Sequence, residues 1–423
     1  MSPRPRLLRT LLGAALLLAP TALRPAAAAP EWSWLTDPRM ITGDAKLSVG
    51  AGIVSRDGTV VTWSASVDAN FPQVLLRDRR TGRTEVVSTV NGRYPNGISY
   101  PFAVSATGRY VLFDSYASDL VPGDTNGQRD VFLRDRLRHH TAMISGRPGR
   151  TRDRAVWSAA MNADASLVVY TACTAAGDCT LIGHRVATRA EFTIAEHVAF
   201  TGALDLQLSD DGRYVVFAST EPLTDDDPRT NPSCSPDLFL RDLDTGSTTL
   251  LTGSLDPLGD TCGQLYADRF HDVTLGAGGA CVVLVASGTN NERVFLRDRA
   301  TGVTVRVQGA TPQVSYSFEH AAVTADCQHV YYTATYDTAA EPNAPSGEAS
   351  VYRWDHADGA VTRITPDLPL PSTSINLAGP ATAAPRMGGV STSGDGRVLV
   401  LQTSAGYDPA DTDGKYDNYL HLT

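Results

Sequence analysis

At 423 residues the length by itself suggests two or three domains. The 36 lysines and arginines set against 46 aspartates and glutamates give a formal charge of −10, which repels phosphate backbones; with no basic stripe visible, nucleic acid is excluded as an expected partner. The six cysteines include no Cys-x-x-Cys and no histidine spacing that would complete a metal site, so they argue for disulfides rather than zinc.

The first 28 residues read as a secretory signal. Arg4, Arg6 and Arg9 form a basic region, Leu11 to Leu23 an apolar one, and Ala26 to Ala29 a small-residue cleavage region. The apolar run is too short and too interrupted by proline for a membrane span. Cleavage after Ala28 removes four arginines, at 4, 6, 9 and 24, and takes the charge from −10 to −14. The expected location is therefore secreted, in a compartment that permits disulfides.

From Arg39 onward the chain repeats itself. The phrase Asp130-Val131-Phe132-Leu133-Arg134-Asp135 returns as Asp237 to Asp242 and, shortened, as Val74 to Asp78 and Val294 to Asp298. Upstream of these lies a second phrase, Ser209-Asp210-Asp211-Gly212-Arg213-Tyr214-Val215-Val216-Phe217, with relatives at Ser55 to Trp63, Ser105 to Phe113 and Gly394 to Leu401. The turn markers are Gly58, Gly108, Ala165, Gly212, Gly279, Cys327 and Gly396, spaced 50, 57, 47, 67, 48 and 69 apart. They define seven units, of which the third and sixth are degenerate.

Each unit reads as four strands, as in the second: Phe102 to Ser105, Tyr110 to Asp114, Asp130 to Asp135 and Thr141 to Ser145. The runs are rich in Val, Phe, Tyr and Thr and are bounded by turn residues. The Asp-Gly and Thr-Gly joints suit hairpins, because Gly accepts the positive φ such turns need. Four antiparallel strands repeated seven times, with no helical periodicity, predict an all-β, seven-bladed β-propeller as a single domain over 29–423. The last unit stops at its third strand, Tyr419 to Thr423. The segment Arg39 to Asp44 resembles the outer strands Thr141 to Gly146 and Leu250 to Gly253, so it is expected to lie beside Leu420 and close the last blade.

Within that geometry three disulfides are expected: Cys173 with Cys179 across one hairpin, Cys234 with Cys262 between two long loops, and Cys281 with Cys327 on neighbouring blades. The joints between strands one and two and between three and four are short and share one face. Nearly all length variation falls on the other, at 115–129, 220–236, 253–270, 335–349, 366–386 and 404–417, so any binding surface is expected there.

Two constellations occupy that long-loop face. Asp124, Asn126 and Asp130 in one loop, and Asp411, Asp413 and Asp417 in another, place alternating oxygen side chains about a glycine. They suit a calcium ion or, alternatively, an Asx-type turn leading into the third strand. The starts of the inner strands bring Tyr100, Trp157, Asp205, His271, Asp272, Glu319 and His320 to the mouth of the central channel. There they could bind a ligand or a divalent metal, supply acid and base groups, or pair with Arg154 and Arg269. No Gly-x-Ser-x-Gly, His-Glu-x-x-His or phosphate-binding glycine loop is present, and His139-His140 reads as a solvated pair.

These phrases resemble the WD-like propeller repeats of the TolB-like family, in which S-x-D-G-R-x-V-x-F is followed by D-x-F-x-x-D and T-G. The resemblance runs from about Arg39 to Thr423 and is strongest at 104–145 and 208–252. True WD repeats fit less well, since only Trp354-Asp355 has the dipeptide, and sialidase-type Asp boxes need a residue that Ser55-Arg56-Asp57-Gly58 lacks. The resemblance implies an exported binding scaffold and a structural role for the Asp-rich loop. The expected function is non-catalytic binding of an extracellular protein, peptide or glycan by a monomer. The alternative is a carbohydrate-active lyase or hydrolase at the channel mouth, since propellers host both.

Overall fold

All seven turn markers adopt a left-handed backbone, with φ of 68° at Gly58, 72° at Gly108, 77° at Gly212, 64° at Gly279 and 72° at Gly396, and 59° and 61° at Ala165 and Cys327. A side chain with a Cβ is strained there, so glycine is the usual occupant and the two exceptions mark the degenerate units. Around the marker, Ser and Asp hold the turn. In the last unit the Ser393 hydroxyl donates to Asp395 at 2.7 Å and accepts from Val398 N–H at 3.0 Å. Thr324 with Asp326, and Asn162 with Asp164, make the same pair of bonds in units six and three.

The computed structural model describes residues 32–35, 50–66, 71–145, 154–198, 206–219, 221–227, 237–252, 269–287, 292–307, 316–336, 349–365, 390–403 and 417–423. They belong to one compact unit, Trp32–Thr423, and the expected signal segment lies outside them. The described residues contain no α-helix. They form five four-stranded sheets and one of eight strands, all pairings antiparallel. The eight-stranded sheet consists of the strand sets of units three and four, joined by the single pair Val198↔Ser219. The second unit is typical, with strands Ser99–Val104, Tyr110–Ser115, Asp130–Asp135 and His140–Met143 in spatial order.

Successive side chains on a strand point to opposite faces, and here both faces of the middle strands are buried, which is why they read as continuous apolar runs. Val60, Val74 and Leu76 pack against Val111, Phe113 and Phe132 of the next unit. The alternate residues Val61, Trp63 and Leu75 pack instead against Val398, Val400 and Leu420 of the last unit. The same division recurs along the chain: Leu112 and Leu133 meet Val168 and Tyr170, and Val215 and Phe217 join Val169 and Leu181. Cross-strand aromatic pairs such as Phe113–Phe132 and Tyr332–Tyr352, both with centroids 5.6 Å apart, fill the wider gaps.

The strand beside Leu420 is not the one expected. Ser33 pairs with Leu420, flanked by Trp32↔His421 and Trp34↔Tyr419, so Trp32–Trp34 takes the edge position expected for Arg39 to Asp44, which lie outside the described residues. Resemblance to other outer strands selected the wrong segment, because a three-residue edge strand needs only backbone pairing and carries little sequence signature. Asn418 locks the junction: its Oδ1 accepts from Gly52 N–H at 2.8 Å and its Nδ2 donates to Gly50 O at 2.9 Å.

Two of the expected disulfides are formed, Cys173–Cys179 and Cys281–Cys327; Cys234 and Cys262 lie outside the described residues. Unit five lacks the Ser and Asp of the turn, having Gly276-Ala277-Gly278-Gly279 instead, a short 3-10 turn. The Cys281–Cys327 bridge sits against it: a Cβ on Gly276 would collide with both sulfurs.

Candidate functional site

The two ends of the sheets differ. At the short-turn end the innermost turns bond to one another from unit to unit. Asp57 N donates to Ala106 O, Ala106 N to Ala163 O, Ala163 N to Asp210 O, Ala277 N to Ala325 O, Ala325 N to Gly394 O and Gly394 N to Arg56 O, at 2.8–3.1 Å. Between units four and five, Gly278 N donates to the Asp210 carboxylate. The second residue of each turn is small (Ala106, Ala163, Ala277, Ala325, Gly394), with two exceptions, Arg56 and Asp210. These two pair with each other at 2.5 Å, from unit one to unit four.

At the opposite end the inner strands are bulged. Register shifts fall between Pro101 and Ala103, Val156 and Ala159, Phe270 and Asp272, and Phe318 and Ala321. A bulge leaves its extra residue outside the ladder and re-aims side chains. Trp157, His271, Glu319 and His320, four of the channel-mouth residues read from the sequence, are these inserted residues; Tyr100 and Asp272 flank bulges. The Asp272 carboxylate accepts from Ala321 N–H at 3.0 Å and lies 3.4 Å from His320 Nδ1, so these two are brought together across units five and six. The side chains of His271 and Glu319, and all of Asp205, lie outside the described residues, as do the side chains of Arg154 and Arg269.

Tyr100 leads to a group that sequence reasoning missed. It pairs in register with Asp114, whose carboxylate takes the Nε–H of Arg129. Both ends of that ion pair are buried, at 1% and 0% exposure. The guanidinium carbon lies 5.7 Å from the ring centre of Phe102 and 5.9 Å from that of Trp157, and Arg129 O accepts from Val156 N–H at 3.1 Å. Its Nη1 and Nη2 make no hydrogen bond among the described residues. Burial raises the pKa of Tyr100, with the Asp114 charge adding to it and Arg129 opposing. Burial likewise raises that of Asp114 against the pull of Arg129. The only sequence signal for Arg129 was its place inside the Asp124–Asp130 motif.

That motif folds with the hydrogen bonds of the turn alternative. Asn126 Oδ1 accepts from Gln128 N–H at 2.9 Å and Nδ2 donates to Asp130 Oδ2 at 2.8 Å, while the Ser145 hydroxyl donates to Asp130 Oδ1 at 2.7 Å. Both carboxylate oxygens of Asp130 are thus committed to donors. Burial lifts its pKa to about 6 against those two bonds, and Asp124 adds to the rise. Burial also raises Asp124. No group of three or more His, Cys, Asp or Glu side chains is gathered for a metal among the described residues. Asp411 and Asp413 lie outside them, and Asp417 is buried in the last strand. No helix among the described residues is long and apolar enough to cross a membrane.

No protein-family model matches the chain, and no curated protein is similar to it in sequence. Solved structures are similar. An oligogalacturonate lyase in complex with manganese has a TM-score of 0.57 at 12% identity, with 92% of each chain covered. A prolyl endopeptidase has 0.54 at 13%, over 91% of this chain but 51% of its own. The β-propeller domain of the Trilobed protease from Pyrococcus furiosus has 0.52 at 12%, over 89% and 95%. Likeness at this identity speaks to fold alone: the four-stranded sheets are those of a β-propeller, as the repeat phrases and their TolB-like, WD-like resemblance led one to expect.

Proposed function

We propose that the chain closes into seven blades, with Trp32–Trp34 as the outer strand of the last, and that the exported protein, 29–423, is a secreted, non-catalytic scaffold that binds an extracellular protein, peptide or glycan through its long-loop face. Closure is supported by the shared core of units one and seven and by the run of turn-to-turn hydrogen bonds that returns from Gly394 to Arg56. Secretion is supported by the two disulfides.

The observation that carries the choice of face is the Arg56–Asp210 pair. Seven backbone positions about 4.8 Å apart enclose a ring roughly 11 Å across. Units one and four stand nearly opposite on such a ring, so the pair spans it as a bar over the short-turn end. A ligand then reaches the axis only from the long-loop side, where the bulged inner strands present their inserted residues. For the lyase or hydrolase alternative, the chemistry would have to come from His271, Asp272, Glu319 and His320. Of these, Asp272 is already an acceptor for the neighbouring blade.

The test is a binding screen of the secreted protein against glycan arrays and culture-medium proteins, with and without chelator, followed by alanine variants on each face. Trp157→Ala on the long-loop side is expected to weaken binding at least tenfold and Leu137→Ala on the short-turn side to leave it unchanged. The reverse pattern sinks the proposal; a metal-dependent turnover of a bound glycan lost in His320→Ala favours the enzyme.

A further inference from the structure

Among the described residues the exposed large hydrophobic side chains are few, and the aromatic ones, Phe71 at 43%, Tyr94 at 46% and Tyr116 at 44%, all lie on the long-loop face of units one and two. They are held close by one hub. Gln73 Nε2 donates to Phe71 O at 3.4 Å and to Gly97 O at 3.1 Å, and Gly97 packs so tightly on the Tyr116–Ala117 backbone that a Cβ there would lie 2.6 Å from Ala117 N. Asn96 fastens the Tyr94 loop to the Tyr116 loop with a bond to Asp119 and two to Ser118, each at 3.0 Å. The rings therefore stand on loops that are already ordered, and binding to them costs little further entropy.

The series continues inward. Tyr116 N donates to Ile98 O at 3.2 Å, and its phenol is near enough to Tyr100 to contribute to that group's raised pKa. Tyr100 in turn adjoins the Arg129 guanidinium that Trp157 flanks. Phe71, Tyr94 and Tyr116 thus share one group of tied loops, and Tyr100 and Trp157 stand on the inner strands of units two and three.

Resting on the binding reading above, we propose that these rings form a track for an extended, uncharged saccharide chain that runs across units one and two to the channel mouth. Aromatic faces stack on the C–H faces of sugar rings, and tyrosines add a hydroxyl to each contact. A succession of separated rings suits a linear polymer better than a compact ligand. The chain's charge of −10 and the Asp119 carboxylate bonded into these loops disfavour uronates and sulfated sugars. The buried cation Arg129 is already paired with Asp114.

The probes are neutral linear glucan, mannan, xylan and galactan oligosaccharides of two to eight units, with polyuronate oligomers and a lysine-rich peptide as competing arms. Binding to at least one neutral series is expected, tightening with chain length. Tyr94→Ala/Tyr116→Ala should weaken it at least tenfold, while Leu137→Ala leaves it unchanged; unaltered circular dichroism would show both variants folded. Binding only to the polyuronate or the peptide, no gain with length, no binding of any probe, or full binding by the double variant overturns the track. A ligand still lost in Trp157→Ala while retained by the tyrosine variant would overturn the track but leave the long-loop face as the binding surface.

Discussion

Arg129 illustrates how one side chain can matter to both stability and site. A buried ion pair adds little compared with an apolar pair of the same shape, but removing one partner strands the other charge in the interior. Arg129→Ala is therefore expected to lower unfolding free energy by about 3–5 kcal/mol, and Arg129→Met/Asp114→Leu by clearly less; urea denaturation of the three proteins checks this. The next residue in the chain, Asp130, titrates in the opposite sense to an ordinary ion-paired carboxylate. Its folded pKa of about 6 lies above 3.8. Its contribution to stability is thus fully present below about pH 4 and is lost as the pH rises through about 6. An NMR titration that found Asp130 at an ordinary value would show the site to be wetter than it is here. Neither property was legible beforehand, because the partners Asp114 and Ser145 are set by strand register and not by neighbours in sequence.

At the scale of the element, the Ser-x-Asp-Gly turn is the recurring device. The hydroxyl and backbone bonds that lower the pKa of Asp326 and Asp395, led by Thr324 and Ser393, stabilise the fold above the unfolded value of 3.8. That contribution disappears as the pH falls through their folded values. Unit five has lost this chemistry, and the Cys281–Cys327 bridge stands at the same place. Its partners are 46 residues apart, against 6 for Cys173–Cys179. Loop-closure entropy then gives about 4 kcal/mol for the first and about 2 for the second. Thermal unfolding of Cys281→Ala/Cys327→Ala should accordingly show the larger drop in Tm, and equal drops would mean that strand pairing, not chain entropy, decides. Both pairings were legible because the repeat placed each cysteine within a known hairpin or turn.

For the whole molecule, the decisive contact is between the first unit and the last. Trp32–Trp34 covers the free edge of Tyr419–His421, and an uncovered edge strand is a template for association. Deleting residues 32–34 is expected to lower Tm and produce concentration-dependent aggregation, measured by light scattering. A deletion protein that stayed soluble with the same Tm would remove the edge strand from the account of stability.

The all-β class, the four-stranded antiparallel unit with its strand order, the positive-φ turns and two cysteine pairings were determined by the sequence alone, because they depend on contacts a few residues apart or on a repeat that shows the same local solution many times. Which segment covers the last edge, that Arg56 meets Asp210, that Arg129 is buried beside Asp114, and that the exposed rings of Phe71, Tyr94 and Tyr116 share one hub were decided only by the tertiary structure. Those contacts join residues on different units, and their geometry is set by how the sheets pack, which no local pattern of residues encodes.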